Sequence, residues 1–398
     1  MGEATYEFAG LVLDAARFEL RRGQDVVHVE PQVFDVLKYL IDNRERVVAK
    51  EELLDAVWGS RFVTESALSS RLKAARRAVG DDGAAQRVIR TVIGRGYQFV
   101  ADVTTSGPDP AEAPASAPAV SQTIRFCTAA DGARLAWARS GDGPPLLKAA
   151  NWMTHLDLDV DSAVWGHWIG ELSARFALVR YDERGCGLSD WDVSGFGFDD
   201  WVEDLRMVAD AADLERFPLL GVSQGAAVAV AFAARFPERV SHLILVSSYG
   251  RGRMVRSTTD AQRREAALDL ELARVGWERD DPSFRQVFTS QFLPDAGQAQ
   301  WDAFNSLQQQ TTSPHNAVEF LRTFGLIDVM TEAAAVLCPT LVVHSRGDLR
   351  QPLGEARALA AAIPGSHFVT LPSRNHLVLA DEPAWLQLLS TVDAFLAG

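Results

Sequence analysis

The stretch Phe217 to Phe236, FPLLGVSQGAAVAVAFAARF, admits few folds. A short apolar run leads into Gly221-Val222-Ser223-Gln224-Gly225 and then into an Ala- and Val-rich helical pattern. Glycines on both sides of a serine remove the Cβ atoms that would clash on a sharp strand-to-helix turn. Such a turn leaves the Ser223 hydroxyl exposed at the top of a sheet. It also points the unpaired N–H groups and positive dipole end of the following helix toward that hydroxyl, where an oxyanion could be held.

A chain of 398 residues exceeds what one core usually organises, so two domains are expected. Cys127, Cys186 and Cys338 are far apart in sequence and form no CxxC pair. They suit neither a zinc site nor a disulfide framework, and a reducing cytoplasm is the simplest location. No run of 18 apolar residues occurs and the opening MGEATYEFAG lacks a basic-then-apolar leader, so no membrane contact is expected. The net charge of −14 argues against nucleic acid only until it is divided. Residues 1–103 carry 15 Lys and Arg against 16 Asp and Glu, a net of −1, and leave −13 for the rest. A near-neutral first part with clustered arginines can present a basic face.

Four strand-like runs open the chain between Tyr6 and Val29, with turns at Gly10 and Gly23. Pro31 begins a helix with Val33, Phe34, Leu37, Leu40 and Ile41 at helical spacing, and a second helix follows a brief strand at Arg46 to Val48. A third helix is expected from a Thr64 N-cap to Val79. It sets Leu68, Leu72, Ala75 and Val79 on one stripe and Ser66, Ser70, Lys73 and Arg77 roughly opposite. Two β runs, Arg87 to Val92 and Tyr97 to Ala101, then flank Ile93-Gly94-Arg95-Gly96 as a hairpin with an arginine at its tip. A helix-turn-helix followed by a basic hairpin can lay one helix in the major groove and touch phosphate with the wing. Residues 6–102 resemble the winged-helix output domain of response regulators and CadC-type regulators. The pieces that carry the resemblance are LDAARFELRRG, VVAKEELLDAVWG, VTESALSSRLKAARRAVGDD and VIRTVIGRGYQFV. It implies contact with double-stranded DNA by Ser66, Ser70, Lys73, Arg77 and Arg95.

Residues 104–121, with four prolines and no large apolar residue before Val120, read as an extended tether after a first domain at 1–103. In residues 122–398, a hairpin signal at Asp131-Gly132 precedes β runs at 146–150, 177–181, 219–222, 242–246, 340–343 and 368–371, with helical patterns between them. That order implies a mostly parallel, doubly wound sheet with its site at the carboxyl ends of the strands. Loops after three of these strands hold Ser223, Asp348 and His376. A serine needs a histidine to take its proton, and the imidazole needs a carboxylate to fix it.

The chain order Ser, Asp, His over residues 122–397 resembles the α/β-hydrolase family. The segments YDERGCGLSD and FPERVSHLILVSS match family motifs as well. The resemblance implies Ser223 as nucleophile, His376 as base and acid, and Asp348 as its orienter. One oxyanion donor would be the N–H of Gln224. The family often shows His-Gly after the third strand, where this chain has Ala149-Ala150-Asn151-Trp152, so Asn151 or Trp152 would supply the other.

It also implies a helical cap at about 250–337, in which Phe288, Phe292, Trp301, Phe304 and Phe320 either line a cavity or pack the cap. His155 and His167 read as pocket wall or surface, Asp182 and Arg184 as loop braces, and Cys186 as a small packed residue. Asp159, Asp161 and the Asp199-Asp200 pair form no metal motif and read as solvated. No cofactor is expected: there is neither a phosphate-binding glycine loop nor a dinucleotide fingerprint. The expectation is a one-component regulator, an α+β winged helix-turn-helix domain joined to an α/β-hydrolase domain for a small ester, lactone or amide. Presentation of two DNA-binding domains to paired half-sites would make it a homodimer. Two alternatives stay open: a plain serine hydrolase whose basic module is not regulatory, and a binding domain without turnover.

Overall fold

The computed structural model describes residues 5–397 apart from 15–18, 24, 28, 59–64, 93, 107–119, 153 and 194. Two units, Met1–Pro118 and Ala119–Gly398, each hold their own core.

In the first unit, β1 (Thr5–Phe8), β2 (Leu11–Asp14), β3 (Glu19–Arg22) and β4 (Asp25–Val27) form an antiparallel meander. Its apolar face lies in a core shared with helices α1 (Pro31–Asp42), α2 (Lys50–Trp58) and α3 (Glu65–Ala78). Leu68, Leu72, Ala75 and Val79 are all buried there, as their spacing predicts. Strands β5 (Ile89–Val92) and β6 (Gly96–Phe99) make the hairpin, and the expected strand at 46–48 is reduced to one bridge, Val48 to Tyr97. That bridge explains Gly96: a Cβ there would stand 1.9 Å from the Val48 carbonyl oxygen, and its φ is +144°. Asp81 ties α3 to the hairpin by accepting from the N–H groups of Val88 and Ile89 at 2.8 and 3.0 Å.

The stretch expected to be tether gives its first residues to the sheet. Strand β7 (Thr104–Ser106) pairs antiparallel with β1, with Thr5 opposite Ser106 and Glu7 opposite Thr104. β1 is otherwise an edge with unpaired backbone groups, and two adjacent threonines suit an extended partner. Residues 107–119 and the Thr64 N-cap lie outside the described residues.

In the second unit, the hairpin β8 (Gln122–Thr128) and β9 (Arg134–Ser140) leads to β10 (Pro145–Lys148), α4 (Gly166–Arg175), β11 (Ala177–Tyr181) and α5 (Phe198–Ala211). Then come β12 (Phe217–Val222), α6 (Gln224–Arg235) and β13 (Val240–Val246). Five helices follow, α7 (Asp260–Gly276), α8 (Ser283–Phe292), α9 (Gln298–Thr311), α10 (Pro314–Leu326) and α11 (Met330–Ala335). The chain closes with β14 (Thr340–Ser345), α12 (Leu353–Ala362), β15 (His367–Leu371) and α13 (Pro383–Ala397). The sheet order is β15-β14-β13-β12-β10-β11-β9-β8, parallel except for the two strands of the opening hairpin. β10 pairs with both β11 and β12, so successive crossovers leave it in opposite directions. Loops part at such a reversal and open a crevice at the carboxyl ends of the strands. Ser223 follows β12 and Asn151 follows β10, at that crevice.

Candidate active site

The turn after β12 is built by sterics. A Cβ at Gly221 would stand 2.5 Å from the Ala226 Cα, and one at Gly225 would stand 2.5 Å from the Ala150 carbonyl oxygen. Ser223 between them has φ +54° and ψ −123°, a region that costs a non-glycine residue about 1–3 kcal/mol and persists only where the surroundings hold it. The Ser223 N–H donates to the Val246 carbonyl at 2.9 Å, and the Ser223 carbonyl accepts from Ala226 N–H at 3.1 Å. The strained residue is thereby fixed between β13 and α6.

His376 Nε2 lies 2.8 Å from Ser223 Oγ, and His376 Nδ1 lies 2.7 Å from Asp348 Oδ2. The other oxygen of Asp348 accepts from the backbone N–H groups of Arg350 and Gln351 at 2.8 and 2.9 Å. Burial raises the Asp348 pKa, but the charge and hydrogen bond of His376 outweigh it and hold the carboxyl below its ordinary value. The His376 loop is gripped from two sides. Its carbonyl accepts from Ser247 Oγ at 2.6 Å, and its N–H donates to the Phe292 carbonyl of α8 at 2.8 Å. His344, 3.5 Å from Asp348, is fully buried, and burial lowers its pKa, which favours the neutral ring.

A family model described as alpha/beta hydrolase fold matches residues 158–383, more than half the chain. This chain belongs to the alpha/beta hydrolase fold family. A second model, transcriptional regulatory protein, C terminal, matches residues 23–99 of the same hydrolase-family chain. A Klebsiella pneumoniae (strain 342) protein named for carbamate hydrolysis is 29% identical over 221 residues, 53% of this chain and 79% of its own. The pimeloyl-[acyl-carrier protein] methyl ester esterase of Nitrosomonas europaea is 27% identical over 261 residues, 64% of this chain and 96% of its own. Among solved structures, an esterase from Exiguobacterium antarcticum superimposes with a TM-score of 0.58 at 19% identity, covering 69% of this chain and all of its own.

Ser223 opens onto a cavity of about 270 Å³ under the helices α7 to α10. Of the aromatic residues singled out in the cap, Phe292 and Phe304 line it; Phe288, Trp301 and Phe320 do not. Asn151 and Trp152 line it too. The Trp152 ring is the floor on which the cap packs, 5.7 Å from the rings of Trp277 and Phe324 and 5.9 Å from Phe288. Asn151 has its side chain occupied: its oxygen accepts from Lys148 Nζ, and its amide donates to the Trp152 carbonyl at 3.1 Å. Among the described residues, neither the Gln224 N–H nor the Trp152 N–H has a hydrogen-bond partner.

Beneath this loop lies a group of buried charges that local sequence patterns do not reveal. Lys148, Asp159, Arg180, Asp182 and Glu183 are all nearly inaccessible. Asp159 therefore is not solvated as its sequence context suggests: it lies 3.6 Å from Arg180, and burial raises its pKa. Asp182 and Arg184 brace the loop as expected. Asp182 accepts from the N–H groups of Leu156 and Leu188, and Arg184 pairs with Asp204 and Asp131. Cys186 is packed, and burial raises its pKa. His167 bonds the Val378 carbonyl, and neither it nor His155 lines the cavity.

Glu183 accepts from Gln224 Nε2 at 2.9 Å, and burial pushes its pKa up to about 8. Its ordinary value is 4.5, so the folded protein holds this proton through a range in which the unfolded chain has lost it. Its contribution is present below pH 4.5 and is lost as pH rises toward 8. Glu183→Gln keeps the shape and removes the titration. Its melting temperature should therefore gain on wild type by a few degrees between pH 5 and pH 9. Parallel melting curves across that range would exclude a buried neutral Glu183.

In the first unit, the basic residues of α3 divide by what already holds them. Arg71 pairs with Glu30, and Arg76 donates to the Ile89 carbonyl and Thr91 hydroxyl. Lys73 and Arg77 are exposed and have no ion-pair partner among the described residues. Arg95 is exposed at the tip of the hairpin, and Ser70 is exposed on α3. The Ser66 side chain lies outside the described residues. Among the described residues, no group of side chains could hold a metal ion, and no helix is long and apolar enough to cross a membrane.

Proposed function

We propose that this chain is a DNA-binding transcriptional regulator whose hydrolase-fold domain binds and hydrolyses a small ester, lactone or amide. The observation that carries the catalytic half is the unbroken hydrogen-bond chain from Ser223 through His376 to Asp348 at the mouth of a covered cavity. In this reading Ser223 Oγ attacks the ligand carbonyl as its proton passes to His376 Nε2. The Gln224 and Trp152 N–H groups hold the oxyanion, and the Asn151 side chain, bonded to Lys148 and to the Trp152 carbonyl, fixes the loop. Collapse of the tetrahedral species breaks the C–O or C–N bond, and His376 returns the proton to the leaving group. A water then gives its proton to His376 as its oxygen attacks the acyl carbon, and the acid leaves as Ser223 regains the proton.

The regulatory half rests on the match of residues 23–99 to a transcriptional regulatory domain and on Lys73 and Arg77 of α3, exposed and without an ion-pair partner among the described residues. Lys73, Arg77 and Arg95 would meet phosphate or base edges, with Ser66 and Ser70 beside them. The binding domain would be presented as a dimer to paired half-sites. Turnover of p-nitrophenyl butyrate by the full chain, measured beside its retention on genomic DNA fragments with and without the ester, tests both halves. Turnover together with an ester-dependent change in retention is expected. A chain that cleaves the ester yet retains no DNA would be a hydrolase alone.

A further inference from the structure

We propose that the cavity ends in an anion subsite, formed by Arg350 and Tyr249, that seats a carboxylate carried by the ligand at a short distance from its scissile carbonyl. This deepens the hydrolase reading and rests on it for the position of the carbonyl.

Arg350 lines the cavity with Ser223 and is only 8% exposed. Its Nη1 donates to Asp269 Oδ2 and to Gln291 Oε1, both at 2.9 Å. Its Nε and Nη2 have no hydrogen-bond partner among the described residues. The carboxylate it uses is shared, because Arg253 Nη1 donates to the same Asp269 oxygen at 2.6 Å. A third guanidinium, Arg256, meets only neutral acceptors, Gln351 Oε1 at 2.7 Å and the Arg251 carbonyl at 3.0 Å.

The remaining carboxylates nearby are committed elsewhere. Glu265 takes the outer arm of Arg253 and is mostly exposed, Glu355 pairs with Arg251, and Asp348 belongs to His376. Two guanidinium groups lining the cavity, those of Arg350 and Arg253, thus share one buried carboxylate, Asp269, and Arg256 beside Gln351 has only neutral hydrogen-bond acceptors. Unbalanced charge is costly to bury, and a ligand anion would offset it.

Tyr249 supplies a second donor. It lines the same cavity, is 2% exposed, and its hydroxyl has no hydrogen-bond partner among the described residues. It lies within the field of Arg256 and Arg350, yet burial keeps it protonated and able to donate. Phe292 sets the scale. Its ring is 5.1 Å from the His376 imidazole, and the Arg350 guanidinium is 5.3 Å from that ring, so imidazole and guanidinium are no more than about 10 Å apart. The monoester of a short dicarboxylic acid, or the lactone of a carboxylated chain, spans such a gap; a neutral ester of equal length offers no acceptor to Nε and Nη2 of Arg350 or to the Tyr249 hydroxyl.

The test compares monomethyl glutarate and monomethyl adipate with methyl pentanoate and methyl hexanoate as substrates of the full chain. Wild type should favour the better acid ester by at least about 10-fold in kcat/KM. Arg350→Gln should reduce that preference by about 10- to 100-fold, chiefly through KM, Arg350→Lys should restore part of it, and Tyr249→Phe should reduce it by a few-fold. A preference unchanged in Arg350→Gln and Tyr249→Phe, or a wild type that favours the neutral esters, overturns the subsite. If wild type cleaves none of these esters, titration of Ser223→Ala with glutarate decides. Saturable binding lost on adding Arg350→Gln upholds the subsite while the hydrolase reading fails. No binding overturns the subsite.

Discussion

Ser223→Ala is expected to lower kcat for short p-nitrophenyl esters by about 10⁴- to 10⁶-fold, the loss typical when a nucleophile is removed from a triad. The size follows from the geometry. His376 is already aligned on the hydroxyl at 2.8 Å and Asp348 on the imidazole at 2.7 Å, so little of the catalytic arrangement remains to be assembled when a ligand enters. Ser223 also sits at a φ of +54°, where Val246 and Ala226 hold its backbone by hydrogen bonds. Alanine keeps those backbone bonds, so the turn should remain folded and the loss should be chemical. Steady-state kinetics beside a thermal melt separate the two. A rate within 10-fold of wild type would remove Ser223 from the reaction.

The second large effect is on DNA. Replacing both Lys73 and Arg77 with alanine should weaken binding by about 10- to 100-fold at low salt. It should also reduce the slope of log K against log salt by about 1.8, since each lost phosphate contact releases about 0.9 fewer counterions. These two residues carry the expectation because Arg71 and Arg76 are engaged within the domain. Arg76→Ala should act differently: it cuts the link from α3 to the Ile89 and Thr91 strand and so should lower stability. Fluorescence anisotropy over 50 to 300 mM salt reads the slope. An unaltered slope in the double variant would place the DNA face elsewhere.

Much of the candidate site was legible because its pattern is local in the sequence. A glycine-flanked serine after an apolar strand, and aspartate and histidine after later strands, place three groups on one edge once parallel order is inferred. The winged-helix core was legible for a similar reason, since Leu68, Leu72, Ala75 and Val79 repeat at the helical period.

What escaped depends on partners distant in sequence. Asp159 looks solvated in LDLDVDS, and only its packing beside Arg180 and Lys148 makes it a buried acid. Lys148, in plain strand text, and Glu183, within YDERGCGLSD, gain their buried roles only when Asp159 and Gln224 fold near them. The pairing of Thr104–Ser106 with β1 spans about a hundred residues, and a proline-rich continuation hides it. Cap aromatics share one composition, so which of them reach the cavity is decided by helix rotation, and Phe292 does so while Phe288 packs behind Trp152.

The most direct measurement is covalent. Treatment of the full chain with a fluorophosphonate, followed by peptide mass spectrometry, should find the phosphonyl adduct on Ser223. The adduct should be absent from Ser223→Ala and strongly slowed in His376→Ala. An unlabelled wild-type protein, or an adduct on another residue, would contradict a working serine hydrolase at this turn.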